Sequence, residues 1–453
     1  MTIGEAPQSF FYPQIDSSFR QNRDSSSMLF WYSQAGNAGL NIRPVWAGDI
    51  RGGKALGDTI TGFEGGIHLS GYIDSVEFWL DARIFSEGHS SKNPKSWDRE
   101  FLENQGDKPN QGEGALKEIN YSSYARYRGH IAMRMGWATL DFGRDAQHWG
   151  PGYYNNLSLN QASVPYNQMT LSTKIGPLSV ISLYGDLDPG GKCTAQDRCD
   201  ATSSMGKEVS RNLYGHRYEF EFGNLTFGIS ELQVVYDLNH YWLFVPIVPL
   251  FAEKGNYSED HNSGSIAFDF SYRFPIGFRL YTEFFLGDME SPQSLIRNDN
   301  IEAKWAWMAG IEYAGNFGAW KAGSLAEYAR VEPYVYTHFE PYTAQFAHLN
   351  YPIGNQGGPN SQTIDWLIYA RYAKHFQIQL KQGWFWKGND GADLNFQTPR
   401  VDHHSTAKYF LDDAKMQYTL TPAIAYMAKH YAISVEYSLF DNNAFCSRIM
   451  LLW

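Results

Sequence analysis

The residues best suited to binding chemistry are concentrated in one short stretch of the chain. Within residues 143–152, GRDAQHWGPG, two charges, an amide, an imidazole and an indole fall within six positions: Arg144, Asp145, Gln147, His148 and Trp149. Planar donors and acceptors of this kind meet sugar hydroxyls, and an aromatic face covers the apolar side of a sugar ring. The Arg144 guanidinium could also pair in bidentate fashion with the carboxylate of a uronic acid.

A structural role for the same stretch is the competing interpretation. Gly150, Pro151 and Gly152 suit a tight turn with unusual backbone angles, and Tyr153 follows directly. Arg144, Asp145 and His148 would then fasten a loop inside the protein, with Trp149 packed beneath it. Both interpretations can hold, because a fastened loop can build a binding surface.

Catalysis and metal binding have little support in the sequence. No Gly-x-Ser-x-Gly, His-Glu-x-x-His or phosphate-binding motif occurs. His403 and His404 beside Asp402 could ligate a metal, but adjacent residues of a strand point to opposite sides. We therefore expect a protein that is not an enzyme and that carries no cofactor and no metal.

The elements around this stretch alternate with a period of two, which is typical of β-strands. Apolar residues occupy one face of each segment and charged residues the other. Examples are Ile266, Phe268, Phe270 and Tyr272 against Asp269 and Arg273, and Val76, Phe78, Leu80, Ala82 and Ile84 against Glu77, Asp81 and Arg83. In a membrane barrel the apolar face meets lipid and the charged face lines the interior.

The connections between these segments alternate between short turns and long loops. Short turns recur near Gly176–Pro177 and Gly223–Asn224, and long connections lie near residues 146–166 and 332–363. Outer-membrane barrels combine short periplasmic turns with long extracellular loops. The pattern predicts an all-β, transmembrane antiparallel β-barrel of about 18 strands over residues 38–453, with both chain ends on the periplasmic side.

Composition agrees with a membrane barrel. Aromatic residues make up 16% of the chain, although the mean hydropathy is −0.43. No apolar run reaches the roughly 18 residues that a membrane helix needs. Residues 1–37 are interpreted as an irregular periplasmic segment in which no signal peptide is visible. The last strand ends in the aromatic Trp453, which resembles the signal read by barrel-assembly machinery.

The interior of such a barrel would be strongly charged and would be filled. We expect charged lumen residues of both signs to brace the wall through cross-strand ion pairs, or else to give an open pore its selectivity. A barrel of this width needs a plug if it is closed. The apolar segment Tyr241–Phe251 is one candidate to fold inward, and packing against neighbouring outer loops is the alternative.

Cysteine content and net charge bear on the cellular compartment and on the class of partner. Cys193 and Cys199 lie close together in a polar segment and could form a small loop disulfide, as an oxidising compartment allows. The net charge of −11 argues against nucleic acid as a partner.

The segment WATLDFGRDAQHWGPGYYNNLSLNQASVPYNQMTL, residues 137–171, resembles the hallmark of the Wzi-type capsule-assembly family. A weaker similarity lies at residues 351–361, YPIGNQGGPNS. The resemblance implies an 18-stranded barrel in the bacterial outer membrane, with a blocked lumen and a lectin-like role of holding capsular or extracellular polysaccharide at the cell surface. The family's helical periplasmic part is not evident in residues 1–37.

Two other functions remain open from the sequence. One is a channel for oligosaccharides or other solutes, and the other is a structural subunit of a larger outer-membrane assembly. The expected partners are polysaccharide and outer-membrane lipid, together with possible outer-membrane or export-machinery proteins.

Overall fold

The computed structural model describes residues 31–35, 37–53, 58–89, 121–188, 210–236, 241–250, 262–288, 303–338, 343–373, 375–394, 408–428, 431–440 and 444–452. These residues form 21 β-strands: β1 (Trp31–Ala35), β2 (Ala38–Gly53), β3 (Asp58–Ile73), β4 (Val76–His89), β5 (Tyr121–Arg134), β6 (Ala138–Asp145), β7 (Tyr166–Ile175), β8 (Leu178–Leu187), β9 (Arg211–Phe222), β10 (Leu225–Tyr236), β11 (Asn262–Arg273), β12 (Phe278–Asp288), β13 (Lys304–Phe317), β14 (Trp320–Val331), β15 (Ala347–His348), β16 (Tyr351–Pro352), β17 (Ser361–Tyr372), β18 (Phe376–Lys387), β19 (Lys415–Met427), β20 (Tyr431–Phe440) and β21 (Ala444–Leu452). No helix within these ranges is long and apolar enough to cross a membrane.

Eighteen of the strands form one closed antiparallel ring. Each strand from β2 to β14 and from β17 to β21 pairs with the next one along. The last strand, β21, pairs with β2, so that Leu452 lies opposite Val45 and Ala444 opposite Gly53. Closure leaves no free edge among these strands and pairs their backbone groups, as hydrocarbon requires. The predicted antiparallel barrel of about 18 strands is therefore confirmed.

The other three described strands are small additions to this ring. The strand β1 pairs with residues 38–42 of β2, and β15 and β16 form a two-residue hairpin within the connection between β14 and β17.

The connections differ in length at the two ends of the barrel. Turns of two to four residues lie at one end, for example at 176–177, 223–224 and 274–277. At the other end lie long connections such as 146–165, 332–360 and 388–414, together with the short links 54–57 and 441–443. The long end is the extracellular side of an outer-membrane barrel.

The two faces of the wall differ as the period of two predicts. On β11, Phe268 and Phe270 are exposed on the outside. Asp269 points inward, is buried, and accepts a hydrogen bond of 2.6 Å from Arg217 on β9. Arg217 also contacts Glu219 at 2.8 Å. Charged side chains therefore line the interior, and the Arg217–Asp269 ion pair links β9 to β11 across β10.

The main hydrophobic core lies inside the barrel, between the wall and the connection 146–165. Trp149, Leu157 and Leu159 from this connection pack with inward-facing wall residues such as Leu213 and Met308. The lumen is thus plugged by the connection between β6 and β7.

The prediction that Tyr241–Phe251 folds into the lumen is wrong. The described part of this segment, residues 241–250, packs on the outer face of the wall. Leu243 and Leu250 form a second small cluster there with Tyr214 and Val235. The alternative of packing against neighbouring outer loops does not describe this contact either, because the partners are wall strands.

Three predictions fall outside the described residues. Residues 1–30 of the N-terminal segment 1–37, the pair Cys193 and Cys199, and the pair His403 and His404 lie there. Residues Trp31–Ala35 of that segment, which was expected to be irregular, form the strand β1.

Candidate functional site

A glutamate in the middle of β12 holds one part of the plug. The carboxylate of Glu283 accepts hydrogen bonds from the backbone N–H groups of Leu157 at 2.8 Å and Ser158 at 2.9 Å. It also accepts the Ser158 hydroxyl at 2.5 Å. Glu283 has no solvent exposure. These hydrogen bonds satisfy two buried backbone amides of the loop and the buried carboxylate together. Hydrogen bonds to a charged carboxylate are also stronger than those between neutral groups.

A second glutamate, on β14, does the same for the preceding turn of the loop. Glu327 accepts the backbone N–H groups of Tyr153 at 2.6 Å, Tyr154 at 2.9 Å and Asn155 at 3.1 Å. The Tyr281 hydroxyl of β12 donates to the same carboxylate at 2.8 Å. Two wall carboxylates therefore hold five backbone amides of a single short segment.

Other wall residues fasten the margins of the segment. Arg279 Nη2 on β12 donates to the carbonyl of Pro151 at 2.8 Å, and the Tyr153 hydroxyl donates to Glu312 on β13 at 2.9 Å. On the far side, the Asn155 amide donates to Asp365 on β17 at 2.9 Å. Together with Glu327 on β14, the anchors thus come from four wall strands: β12, β13, β14 and β17.

The connection between β14 and β17 braces the plug as well. The Tyr336 hydroxyl donates to the carbonyl of Leu157 at 2.7 Å. The Asn160 backbone N–H donates to the carbonyl of Ile353 at 2.8 Å, and Asn355 Nδ2 donates to the carbonyl of Asn155 at 3.3 Å. The YPIGNQGGPNS stretch that supplies Ile353 and Asn355 therefore contacts the connection 146–165 directly.

Trp149 is a core residue of the plug. Its side chain is 2% exposed, and its backbone N–H donates to the carbonyl of Leu159 at 3.0 Å. The indole lies against Gly215 of β9, where an added Cβ would approach the ring to 2.8 Å. In this position the indole has no face free for a sugar ring.

The two glycines of the turn allow the loop to approach its anchors closely. Gly150 has a φ of 115°, a region that side chains avoid. A Cβ there would lie 2.7 Å from Glu283, and a Cβ on Gly152 would collide with Met308. Pro151 between them is buried. The GPG sequence therefore reflects the space available between the loop and the wall.

Arg144 and Asp145, adjacent in sequence, lie on opposite faces of β6. The Arg144 guanidinium is on the outer face and lies over the Tyr127 ring, 5.1 Å from its centroid. Asp145 points into the lumen and contacts Arg128 at 3.6 Å and His130 at 3.7 Å. Arg144 is thus separated from the other residues with which the sequence groups it.

Gln147 and His148 begin the plug. Gln147 is half-buried, and part of the His148 side chain is open to the lumen. The Asn156 amide lies 3.1 Å from the His148 ring nitrogens.

Sequence reasoning missed the anchors themselves. Charged lumen residues of both signs were expected, but neither Glu283 nor Glu327 was linked to the loop. Asn155 and Asn156, which organise the segment through side-chain hydrogen bonds, were also overlooked. The available signal was a lone acidic residue between apolar residues on the inward face of a strand, as with Glu327 between Leu325 and Ala329 in SLAEYARV.

The fold and the site together define a closed outer-membrane barrel whose lumen is filled by one of its own outer connections. The sequence matches the family described as capsule assembly protein Wzi over residues 111–414, and the chain belongs to that family. It is an integral protein of the outer membrane. The comparison with curated proteins gave no match.

Solved structures with a similar fold include Wzi of Escherichia coli, described as an outer-membrane protein involved in group 1 capsule assembly and a carbohydrate-binding β-barrel. The TM-score is 0.57 at 13% identity, over 91% of this chain and 84% of that one. Acinetobacter baumannii OccAB2 gives a TM-score of 0.46 at 11% identity, over 92% of this chain and 98% of that one. A BenF-like porin from Pseudomonas fluorescens Pf-5 gives 0.46 at 10% identity, over 92% and 98%.

Proposed function

We propose that this protein binds capsular or extracellular polysaccharide at the cell surface and holds the polymer there without converting it chemically. The observation that carries the proposal is the attachment of residues 146–165 to Glu283 and Glu327 inside the lumen. A solute channel needs a continuous open path, whereas a plug held by buried carboxylates gives the barrel a firm extracellular platform. Family membership and the description of E. coli Wzi as carbohydrate-binding support the same function.

In this proposal most of the GRDAQHWGPG stretch supports the platform instead of contacting sugar. Trp149, Gly150, Pro151 and Gly152 lie within the plug, and their contacts are with the wall and with the rest of the loop. Sugar contacts would come from the extracellular ends of the connections that contact the plug directly or through the β14–β17 connection.

Tyr409, in the connection between β18 and β19, is the described aromatic residue that best fits a sugar contact. Its side chain is 63% exposed, yet its backbone is fixed on both sides. Its N–H donates to Asp390 at 2.7 Å and its carbonyl accepts the Asn360 amide at 3.2 Å. An exposed ring on a fixed backbone loses little entropy when a sugar stacks on it.

The binding function is tested with the purified protein in lipid nanodiscs and capsular polysaccharide prepared from the same strain. We expect saturable binding, and we expect Tyr409→Ala to lose ~0.5–1.5 kcal/mol, the range of an aromatic contact. Trp137→Ala is the matched control, because Trp137 is 70% exposed in a periplasmic turn. Equal losses in both variants would contradict the assigned site, and no binding by the wild type would contradict the function.

The holding function is tested in cells. Deletion of the gene should leave polymer synthesis intact but release polymer into the medium. Unchanged cell-bound polysaccharide after deletion would show that the protein does not retain the polymer. Stepwise conductance of the wild type in planar bilayers would favour the channel function instead.

A further inference from the structure

Residues 241–250 form a short flap on the outer surface of the barrel wall. On β9, Gly215 faces the lumen, because the Trp149 indole lies against it. Side chains alternate along a strand, so Tyr214 and His216 face outward. The flap covers them: His216 has no solvent exposure, and carbonyl groups of the flap lie next to its imidazole.

The strip of wall beneath the flap is polar, which is unusual for a lipid-facing surface. In the strand register His216 lies opposite Glu231, and Tyr214 lies opposite Gln233. Gln233 is fully buried, and His216 lies 3.9 Å from Glu231. Hydrocarbon offers such groups no hydrogen-bond partner, and each one exposed to lipid costs several kcal/mol. This strip therefore needs a cover.

The flap supplies that cover through both polar and apolar contacts. The backbone N–H of Leu250 donates to Glu231 at 3.3 Å, and the carbonyl of Pro246 accepts the Tyr218 hydroxyl at 2.5 Å. Leu243 and Leu250 are buried against Tyr214 of the wall. The flap thus hydrogen-bonds Tyr218 and Glu231 and keeps His216 away from lipid.

The outward surface of the flap is apolar. Its ten residues, YWLFVPIVPL, include no charged side chain. Five of them are exposed: Tyr241, Trp242, Val245, Pro249 and Ile247, the last by 87%. The exposed wall residues Phe268 and Phe270 of the neighbouring strand β11 continue this surface.

The depth of the flap places it within the membrane. Tyr218, which contacts Pro246, lies four residues before Phe222 at the periplasmic end of β9. Four residues of a strand tilted by about 40° rise by ~10 Å. The apolar band of an outer-membrane barrel is about 25 Å tall, so the flap extends well into the hydrocarbon.

We propose that Tyr241–Leu250 is a membrane-embedded flap whose outward face contacts the acyl chains of outer-membrane lipid and whose inward face seals a polar strip of the barrel wall. The continuity of its apolar surface with the lipid-facing band identifies lipid as the occupant. This inference is independent of the proposed function, because it concerns the outside of the wall and not the extracellular platform.

The proposal is tested with site-directed spin labels on the full chain in lipid bilayers. In a background with Cys193→Ser, Cys199→Ser and Cys446→Ser, a single label is placed at Ile247→Cys. Its collision rates with oxygen and with a water-soluble nickel chelate are then measured. Phe270→Cys is the lipid-facing reference. Ile276→Cys is the aqueous reference, since Ile276 is exposed in a periplasmic turn.

We expect the label at position 247 to match the Phe270 reference, with strong oxygen collisions and weak nickel collisions. A match to the Ile276 reference would overturn the proposal. If Ile247→Cys does not fold, Val245→Cys gives the same readout. A photo-crosslinker at position 247 should form lipid adducts in cells, and a single defined protein adduct in their place would also overturn the proposal.

Discussion

The carboxylate of Glu327 accepts the backbone N–H of Tyr153 at 2.6 Å, although the two residues are 174 positions apart in the chain. The same carboxylate takes the next two amides of the loop. A buried carboxylate without such donors would be costly, and buried amides without an acceptor would be costly too. The wall and the loop therefore stabilise each other, because the carboxylate and the amides would each be unfavourable if buried without the other.

Removing the Glu327 carboxylate should loosen the plug. Glu327→Ala leaves three backbone N–H groups without their acceptor, and an unsatisfied buried group costs ~1–3 kcal/mol. We expect a lower unfolding temperature in detergent and new conductance in planar bilayers. Glu221→Ala is the control, because the ion pair of Glu221 with Lys174 is exposed at the periplasmic end. A silent variant with an unchanged unfolding temperature would show that Glu327 does not hold the plug.

The close approach of Gly152 to Met308 can be measured by a double-mutant cycle. Gly152→Ala places a methyl group against the Met308 side chain, and overpacking of this kind costs typically ~1–3 kcal/mol. Met308→Ala alone leaves a cavity and should cost ~2–5 kcal/mol. We expect the double variant to be more stable than the sum of the two losses, because the cavity accepts the new methyl group. Simple additivity in denaturant unfolding would contradict the contact.

Two tryptophans at different depths offer a direct comparison. Trp149→Ala removes a side chain that is 2% exposed and should cost ~3–5 kcal/mol. Trp137→Ala, in a periplasmic turn, should change stability little. Trp149→Ala should weaken polysaccharide binding only through disorder of the platform, so the loss of binding should accompany the loss of stability. Lost binding with unchanged unfolding would instead indicate direct sugar contact by Trp149.

The outer cluster around Asp412 should respond to acid. The pKa of Asp412 lies below its ordinary value of 3.8. Partial desolvation raises this pKa, but hydrogen bonds from the backbone N–H groups of Asp390 and Asn389 and from the Asn360 amide lower it by more. A lowered carboxyl pKa gives stability that is complete above the ordinary pKa and is lost as the pH falls through the folded-state pKa.

We therefore expect hydrogen exchange in residues 388–394 and 408–414 to be constant from neutral pH to about pH 4, after correction for intrinsic rates, and to accelerate below that. Asp412→Asn should already exchange faster at pH 6. Asp413→Asn is the neighbouring control, since no hydrogen bond of Asp413 is described. Identical profiles for the two variants would argue against the cluster.

The sequence predicted the barrel more successfully than it predicted the site. Alternation over Ile266–Tyr272 and the spacing of Gly176 and Gly223 are local signals, and they determine strand faces and turn positions. The same rule, applied to Arg144 and Asp145, would have separated them, but the motif was considered as one unit. The contact of Glu283 with Leu157 spans 126 positions, and no local pattern reports such a pairing.

The flap was mispredicted for a different reason. An apolar stretch such as Tyr241–Leu250 is removed from water both by burial inside a barrel and by contact with lipid. Hydrophobicity alone does not distinguish these two locations. The distinguishing signal lay elsewhere, in the outward polar residues His216, Glu231 and Gln233. Their presence on a lipid-facing strand implies a cover, and the connection that follows β10 provides it.

The plug also constrains the order in which the chain can assemble. Neighbouring strands joined by two-residue turns can zip together as soon as they are made, whereas residues 146–165 find their carboxylate anchors only when β12 and β14 have joined the growing sheet. Bringing together segments so distant in sequence is slow, because the chain loses conformational entropy before the hydrogen bonds between loop and wall form. If β21 sealed against β2 before the loop had entered, the result would be an empty pore in the membrane. Capture of the loop and sealing of the cylinder must therefore be coordinated in time.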